Sequence, residues 1–297
     1  MQYNNAMNAS SAIRVLLLRV AGTNCDRELA RAFELAGAGV VTLHINRLLA
    51  DPGQLAGYHI FAIPGGFSYG DDISSGKILA NQLIHHLGVP LRRWIQDGKL
   101  ILGICNGFQA LVKAGLLPGS MPQLPQADRQ PVTLTHNRQE RFEDRWIRLR
   151  SYSRICPWIP AGETLQLPVA HGEGRFVVRD AAVLEALRQN DQIVFRYVTG
   201  EGQAAVNFPE NPNGSVDAIA GICDGTGRVL GMMPHPERFV VPHQHPAWTR
   251  ASKLPPPDGL ALFENAVRFV RAQMTVTIGA TASTAEVTAR RGCSENI

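Results

Sequence analysis

Apolar residues along this chain fall in short unbroken runs, separated by stretches with helical spacing, and that alternation predicts a parallel sheet covered by helices. Ile13-Arg14-Val15-Leu16-Leu17-Leu18 reads as the first strand. Ala21-Gly22-Thr23-Asn24-Cys25-Asp26 reads as a turn in which Thr23, Asn24 or Asp26 can cap the helix that follows. Leu29, Ala32, Phe33 and Ala36 form one face of that helix, and Gly37-Ala38-Gly39 ends it. Val40 to His44 and Tyr58 to Ile63 follow as strands. A helix from about Ile78 to Leu87, and a second before Lys99, lead to the apolar run Leu100 to Ile104. Strands and helices at this spacing point to a doubly wound α/β fold.

Beyond Ser120 the pattern weakens. Thr133 to His136 and Trp146 to Leu149 alternate, as exposed antiparallel strands do, so an antiparallel extension of the mostly parallel sheet is expected. A helix over Ala182 to Arg188 and a strand over Ile193 to Tyr197 come next. Asn211-Pro212-Asn213-Gly214-Ser215 has the composition of a turn. Val216 to Cys223 and Val229 to Met232 read as a hairpin around Asp224-Gly225-Thr226-Gly227. Leu260 to Arg271 is the last helix, with Leu262, Phe263, Ala266, Val267 and Val270 on its apolar face. One domain over 13–271 is expected. It follows a flexible segment, 1–12, carries a proline-rich insertion at 241–257, and precedes a Thr-, Ala- and Ser-rich tail, 272–297, expected to be disordered.

Composition narrows the class. The chain has 297 residues, 45% hydrophobic and 18% charged, as ordinary globular proteins do. A net charge of +4 with no dense Lys or Arg run argues against nucleic acid as a partner. No apolar stretch approaches the ~20 residues of a membrane span, and the N-terminus lacks the order of a signal peptide. Five scattered cysteines, Cys25, Cys105, Cys156, Cys223 and Cys293, show neither zinc-ligand spacing nor a disulfide framework. A reducing cytoplasm is the expected compartment, and no metal is expected.

The stretch Leu100-Ile101-Leu102-Gly103-Ile104-Cys105-Asn106-Gly107-Phe108-Gln109 carries the candidate chemistry. A strand, one cysteine at a bend and a helix form the pattern of a nucleophile elbow, and the helix N-terminus favours a thiolate there. A lone cysteine in an apolar run is ordinarily core; the glycines on either side and the switch from strand to helix turn the balance. Pro64-Gly65-Gly66-Phe67-Ser68-Tyr69-Gly70-Asp71-Asp72 lies at a strand's carboxyl end, where open α/β sheets bind ligands. The amide of Gly66 or Phe67 can face an oxyanion; a phosphate loop or a plain tight turn are the alternatives, and no Gly-Lys-Ser/Thr follows. Pro168 to Phe176 is a second glycine-rich loop in which His171 and Glu173 are either site residues or self-satisfied loop groups. Met233-Pro234-His235-Pro236-Glu237-Arg238 fixes a histidine between two prolines with a carboxylate two residues on. In an extended segment the two side chains share a side, so Glu237 can orient His235. Cys105, His235 and Glu237 together give acyl transfer or hydrolysis through a thioester, without naming the acyl donor.

Gly103-Ile104-Cys105-Asn106-Gly107-Phe108-Gln109 with Pro234-His235-Pro236-Glu237 resembles the class I (triad) glutamine amidotransferases, which have a flavodoxin-like fold. Within them, four stretches look like the glutaminase subunits of phosphoribosylformylglycinamidine synthase. They are Gly22-Thr23-Asn24-Cys25-Asp26, Pro64 to Asp71, Ala170-His171-Gly172-Glu173-Gly174-Arg175-Phe176, and Asn211 to Ser215. The resemblance implies that Cys105 forms a glutamyl thioester and releases ammonia, with Gly66 and Asn106 as oxyanion donors. Gln109, Phe67, His171 and Glu173 are the candidate substrate-binding residues; Gln109 is otherwise a solvated helix residue, and His171 and Glu173 contact either the substrate or the synthase partner. The implied partners are a synthase subunit, which uses ATP and Mg, and a small bridging subunit; no cofactor is implied for this chain. Ala21 stands where the family usually has proline, a matter of turn stiffness. A cysteine peptidase, an amidotransferase of another pathway, an inactive partner subunit and a nucleotide-binding protein are the rival classes. The intact triad and the missing phosphate-loop residues weigh against the last two.

Overall fold

Val15 to Leu18 are buried on both sides of the first strand, which is what an apolar run without alternation requires. The computed structural model describes residues 13–121, 130–250 and 256–275. Within them the chain runs β1 (Arg14–Arg19), α1 (Asp26–Leu35), β2 (Gly39–His44), α2 (Ile45–Ala50), β3 (Ile60–Ile63), α3 (Lys77–Gln96), β4 (Leu100–Ile104), α4 (Asn106–Lys113), β5 (Val132–Thr135), β6 (Glu143–Ser151), β7 (Thr164–His171), β8 (Arg175–Val178), α5 (Ala181–Gln189), β9 (Ile193–Tyr197), β10 (Ile219–Cys223), β11 (Val229–Met232) and α6 over 260–275.

Nine strands form one sheet in the order β2-β1-β3-β4-β11-β10-β9-β6-β7, and β5 pairs with β8 in a separate two-stranded sheet. From β2 to β11 every pairing is parallel; from β11 to β7 every pairing is antiparallel. The expected α/β architecture is present, and its antiparallel half is as large as its parallel half. The consequence for function is geometric. β1, β3, β4 and β11 point the same way, so the loops that leave them meet at one edge of the sheet.

Several elements differ from the sequence reading. The two helices expected before Lys99 are one, α3, with Pro90 inside it. Pro90 leaves the His86 carbonyl without its helical partner, and His86 is exposed, where water can serve it. α2 was not foreseen; His44 Nδ1 caps it by accepting from the Asn46 amide at 3.3 Å. None of Thr23, Asn24 and Asp26 caps α1, whose N-cap is Cys25. Pro168 to His171 belong to β7, so the second glycine loop is only the turn before β8. Val216–Ala218 is a 3-10 turn ahead of β10.

α6 continues through residue 275, beyond the Arg271 expected as its end. Residues 1–12, 276–297 and 251–255 of the insertion lie outside the described residues. The described part of the insertion packs down: His245 lies 5.0 Å from the Trp146 ring and 5.6 Å from Phe239. No helix among the described residues is long and apolar enough to cross a membrane.

α4 sits hard against the sheet. A Cβ on Gly107 would stand 2.1 Å from the Ile63 carbonyl oxygen of β3, a clash with backbone that no rotamer relieves. Phe108, Ala110, Leu111 and Val112 fill the space beneath. Gly107→Ala is therefore expected to lower stability by about 1–3 kcal/mol, as overpacking does. Urea denaturation measures it, and an unchanged midpoint would contradict the close approach.

Candidate active site

Four loops converge at the carboxyl edge, and Cys105 occupies the centre at the end of β4. Its backbone is at φ 51° and ψ −105°, a region that costs a non-glycine residue about 1–3 kcal/mol. Two bonds hold it there. The Cys105 N–H donates to the Met232 carbonyl at 2.8 Å, and its carbonyl accepts from the Gln109 amide at 3.1 Å. Strain and anchors together aim the side chain out of the turn, as an elbow does. The thiol is buried, with the Ala170 carbonyl at 3.8 Å.

The loop after β3 brings its amides alongside. The Gly65 carbonyl accepts from the Asn24 and Cys25 amides at 3.5 and 3.4 Å. The Gly65–Gly66 peptide is trans, so the Gly66 N–H points the opposite way, off the turn that holds the carbonyl. Gly66 has φ 141°, and a Cβ there would meet the Gly22 carbonyl at 2.6 Å, so only glycine fits. The Phe67 amide is not available, because it donates to the Gly22 carbonyl at 2.9 Å. Of the two amides that the sequence left open, that of Gly66 is the one without an acceptor among the described residues. The Asn106 amide, in the first turn of α4, is also without one among the described residues. Gly66 and Cys105 line one cleft together.

His235 and Glu237 follow β11. Pro236–Arg238 is a 3-10 turn rather than an extended segment, yet the pair still meets: His235 Nδ1 lies 2.6 Å from Glu237 Oε1. Both are buried, and His235 Nε2 has no hydrogen-bond partner among the described residues. Burial alone would push the His235 imidazole down. The Glu237 carboxylate, with the sulfurs of Cys105 and Cys25 adding to it, holds the imidazole well above its ordinary value. A Cβ on Gly65 would lie 2.9 Å from His235 Cε1 and 3.4 Å from Cys105 Cβ, so the imidazole and the Cys105 side chain close on the same point.

The cleft walls hold the remaining sequence-predicted residues. Phe67 lines the cleft half-exposed, and His171 and Glu173 line it too. Gln109 also lines the cleft, but both ends of its amide are engaged: Oε1 accepts from Asn106 at 3.1 Å and Nε2 donates to the Glu173 carbonyl at 2.7 Å. Asn106 Oδ1 in turn accepts from the Ser68 amide, and its Nδ2 reaches Asp71 Oδ1.

Sequence reasoning missed Asp71, Asn137, Asn213, Cys25 and Arg238. Asp71 and Cys25 lie inside stretches already singled out, and Arg238 directly follows Glu237, but long-range contacts leave no local periodicity. Cys25 Sγ and donor atoms of His235 and Glu237 lie within 4.8 Å of one another. Glu237 Oε1 is engaged by His235, and the Arg238 guanidinium is 3.1 Å from Cys25 Sγ, so a cation already faces these donors. The set fits a hydrogen-bonded cluster, not a metal centre.

His171 is the opposite of His235. Its Nδ1 lies 3.1 Å from Asn137 Oδ1, which also accepts the Gly174 amide, so Nδ1 carries the proton. Burial, with His235 adding to it, pushes His171 from 6.5 to about 4. Below pH 6.5 the unfolded chain binds a proton that the folded chain refuses until about pH 4. This stabilisation is complete above pH 6.5 and is lost as pH falls through that window, roughly 3 kcal/mol in all. Urea unfolding between about pH 7 and about pH 4 is expected to show a steeper loss in wild type than in His171→Gln. Equal slopes would contradict a neutral buried imidazole.

The chain matches the CobB/CobQ-like glutamine amidotransferase domain over residues 12–270. It is 45% identical over 263 residues to the phosphoribosylformylglycinamidine synthase subunit PurQ of Dehalococcoides mccartyi, covering 88% of this chain and 99% of that one. Against PurQ of Methanococcus maripaludis strain C7 it is 39% identical over 267 residues, covering 86% and 97%. A chain of the structure of PurLQS from Thermotoga maritima superposes with a TM-score of 0.64 at 29% identity, covering 87% of this chain and 99% of that chain. The cleft is therefore that of an amidotransferase domain, and the chain belongs to the PurQ family of phosphoribosylformylglycinamidine synthase subunits.

Proposed function

We propose that this chain is the glutaminase subunit of a phosphoribosylformylglycinamidine synthase, with Cys105 as nucleophile, His235 as acid and base, and Glu237 as its orienter. The Cys105 thiolate attacks the carboxamide carbon of L-glutamine. The tetrahedral oxyanion forms between the amides of Gly66 and Asn106, each donor lowering the barrier by roughly 3–4 kcal/mol. His235 gives its proton to the departing ammonia, leaving a glutamyl thioester. Water, deprotonated by His235, then attacks the thioester through a second oxyanion, and glutamate leaves with Cys105 restored. What carries this reading is the pair of unengaged amides at Gly66 and Asn106, flanking a cysteine whose histidine is already paired with a carboxylate.

Phe67, His171 and Glu173 border the glutamine side chain in this reading. Gln109 borders it too, but as a wall, since its amide groups serve the protein. The ammonia passes to a synthase subunit, the counterpart of PurL in the PurLQS structure, that uses ATP and Mg to convert formylglycinamide ribonucleotide to formylglycinamidine ribonucleotide. A small bridging subunit completes the assembly. This chain's half-reaction calls on no cofactor of its own. The cytoplasm suits it, since the four described cysteines are free thiols.

Glutamine hydrolysis by the full chain, with and without the synthase subunit, ATP and formylglycinamide ribonucleotide, tests the proposal. Hydrolysis stimulated by the partner and lost in Cys105→Ala is the expected result. Cys105→Ala and His235→Ala should each cost about 10⁴-fold or more in kcat, and Glu237→Ala less. Undiminished hydrolysis in Cys105→Ala would overturn the mechanism.

A further inference from the structure

A second thiol lies in the same cleft, and the proposed mechanism does not use it. Cys25 is 1% exposed, lines the cleft with Cys105 and His235, and has both of its hydrogen-bonding directions engaged within the protein. Its Sγ donates to Asn24 Oδ1 at 3.1 Å and accepts from Arg238 Nη2 at 3.1 Å. A thiol held from both sides is not poised to attack. It is poised to hold.

What it holds is informative. On one side, the turn 21–25 grips the loop after β3 through four backbone bonds. The Asn24 and Cys25 amides take the Gly65 carbonyl, Phe67 donates to Gly22 at 2.9 Å, and Tyr69 donates to Ala21 at 2.8 Å. The first two of these fix the direction of the Gly66 N–H. On the other side, Arg238 ends the turn that bears His235 and Glu237, its amide donating to the His235 carbonyl at 3.3 Å. Arg238 also approaches Glu28 of α1 at 3.6 Å. The Cys25–Arg238 contact thus joins, across 213 residues of chain, the segment presenting the oxyanion donor to the segment presenting the acid and base.

We propose that Cys25 is a positioning residue, which through Arg238 keeps the Gly66 amide and the His235 imidazole at one fixed spacing. This rests on the reading of Cys105, His235 and Glu237 given above. Both tetrahedral intermediates need the two groups at once, one on the oxygen and one on the leaving or entering group. A displacement of about 1 Å between such groups can cost about 10²-fold in rate. Sulfur suits the position because a thiol donates and accepts weakly, and so tolerates full burial.

The test uses the full chain with its synthase partner and four variants: Cys25→Ala, Cys25→Ser, Arg238→Met and the double Cys25→Ala/Arg238→Met. Expected is a fall in kcat for glutamine of about tenfold to a hundredfold in Cys25→Ala. KM should change less than about twofold, and the serine should rescue most of the loss, since it keeps a donor and acceptor there. Arg238→Met should match Cys25→Ala, and the double variant should be no worse than either single one. Binding of glutamate γ-semialdehyde, which forms a tetrahedral adduct with Cys105, should weaken in step with kcat. Arg238→Met carries the test should Cys25→Ala not fold. A raised KM with unchanged kcat, additive losses in the double variant, or unchanged kinetics in all variants would overturn the proposal. A wild-type chain inactive under every condition would instead overturn the reading of the triad.

Discussion

Everything at the carboxyl edge depends on how closely α4 approaches β3. The Gly107 backbone stands against the Ile63 carbonyl with no room for a side chain, so the chain must turn within one residue of leaving β4. That residue is Cys105, and its φ of 51° is the consequence. Strain of this kind persists only where the surroundings over-determine it. Here β4 is hydrogen-bonded on both sides, to β3 and β11, and the Cys105 amide is itself tied to the end of β11. A bend placed in the middle of a sheet is rigid in a way that one at its edge would not be.

Rigidity at the bend would be of little use if the loops around it drifted. Buried polar side chains prevent that. Asn106 ties α4 to the loop after β3 through the Ser68 amide and Asp71, and Gln109 ties it to the turn after β7 through the Glu173 carbonyl. That turn is held from behind: Asn137 binds the carbonyl and ring of His171 and the Gly174 amide, while Asn213 Nδ2 donates to the Gly174 carbonyl and to Tyr197 Oη. A buried amide left unpaired would cost about 1–3 kcal/mol, so these contacts restrict the loops to arrangements that satisfy all of them.

The legible parts of this chain were those that local chemistry encodes. β4, Cys105 and α4 stood out because an apolar run, two glycines and a helical face fall in register over a dozen residues. His235 and Glu237 stood out because two prolines frame them. Their backbone was misread as extended, since proline fixes φ but does not forbid a 3-10 turn, and the pair meets in either conformation. Asn211-Pro212-Asn213-Gly214-Ser215 was read as a turn and as a stretch that carries the family resemblance, with no role for its side chains, although these support the cleft from a distance. The pairing of Cys25 with Arg238 was invisible for a related reason. Their significance lies in a contact across 213 residues, which neither composition nor period records.

The two buried histidines show why such placement matters more than residue type. Both are fully desolvated, and desolvation pushes both toward the neutral form. His235 resists because a carboxylate lies against its Nδ1, whereas the Nδ1 of His171 meets only the neutral amide of Asn137. The cleft therefore holds an imidazolium at His235 beside Cys105 and an uncharged ring at His171. Had both carried charge, each would have lowered the other's affinity for its proton, and less of the His235 imidazolium that the proposed reaction calls on would have been present. The neutrality of His171 thus protects the charge on His235, and an asparagine, not a carboxylate, is the partner that allows it.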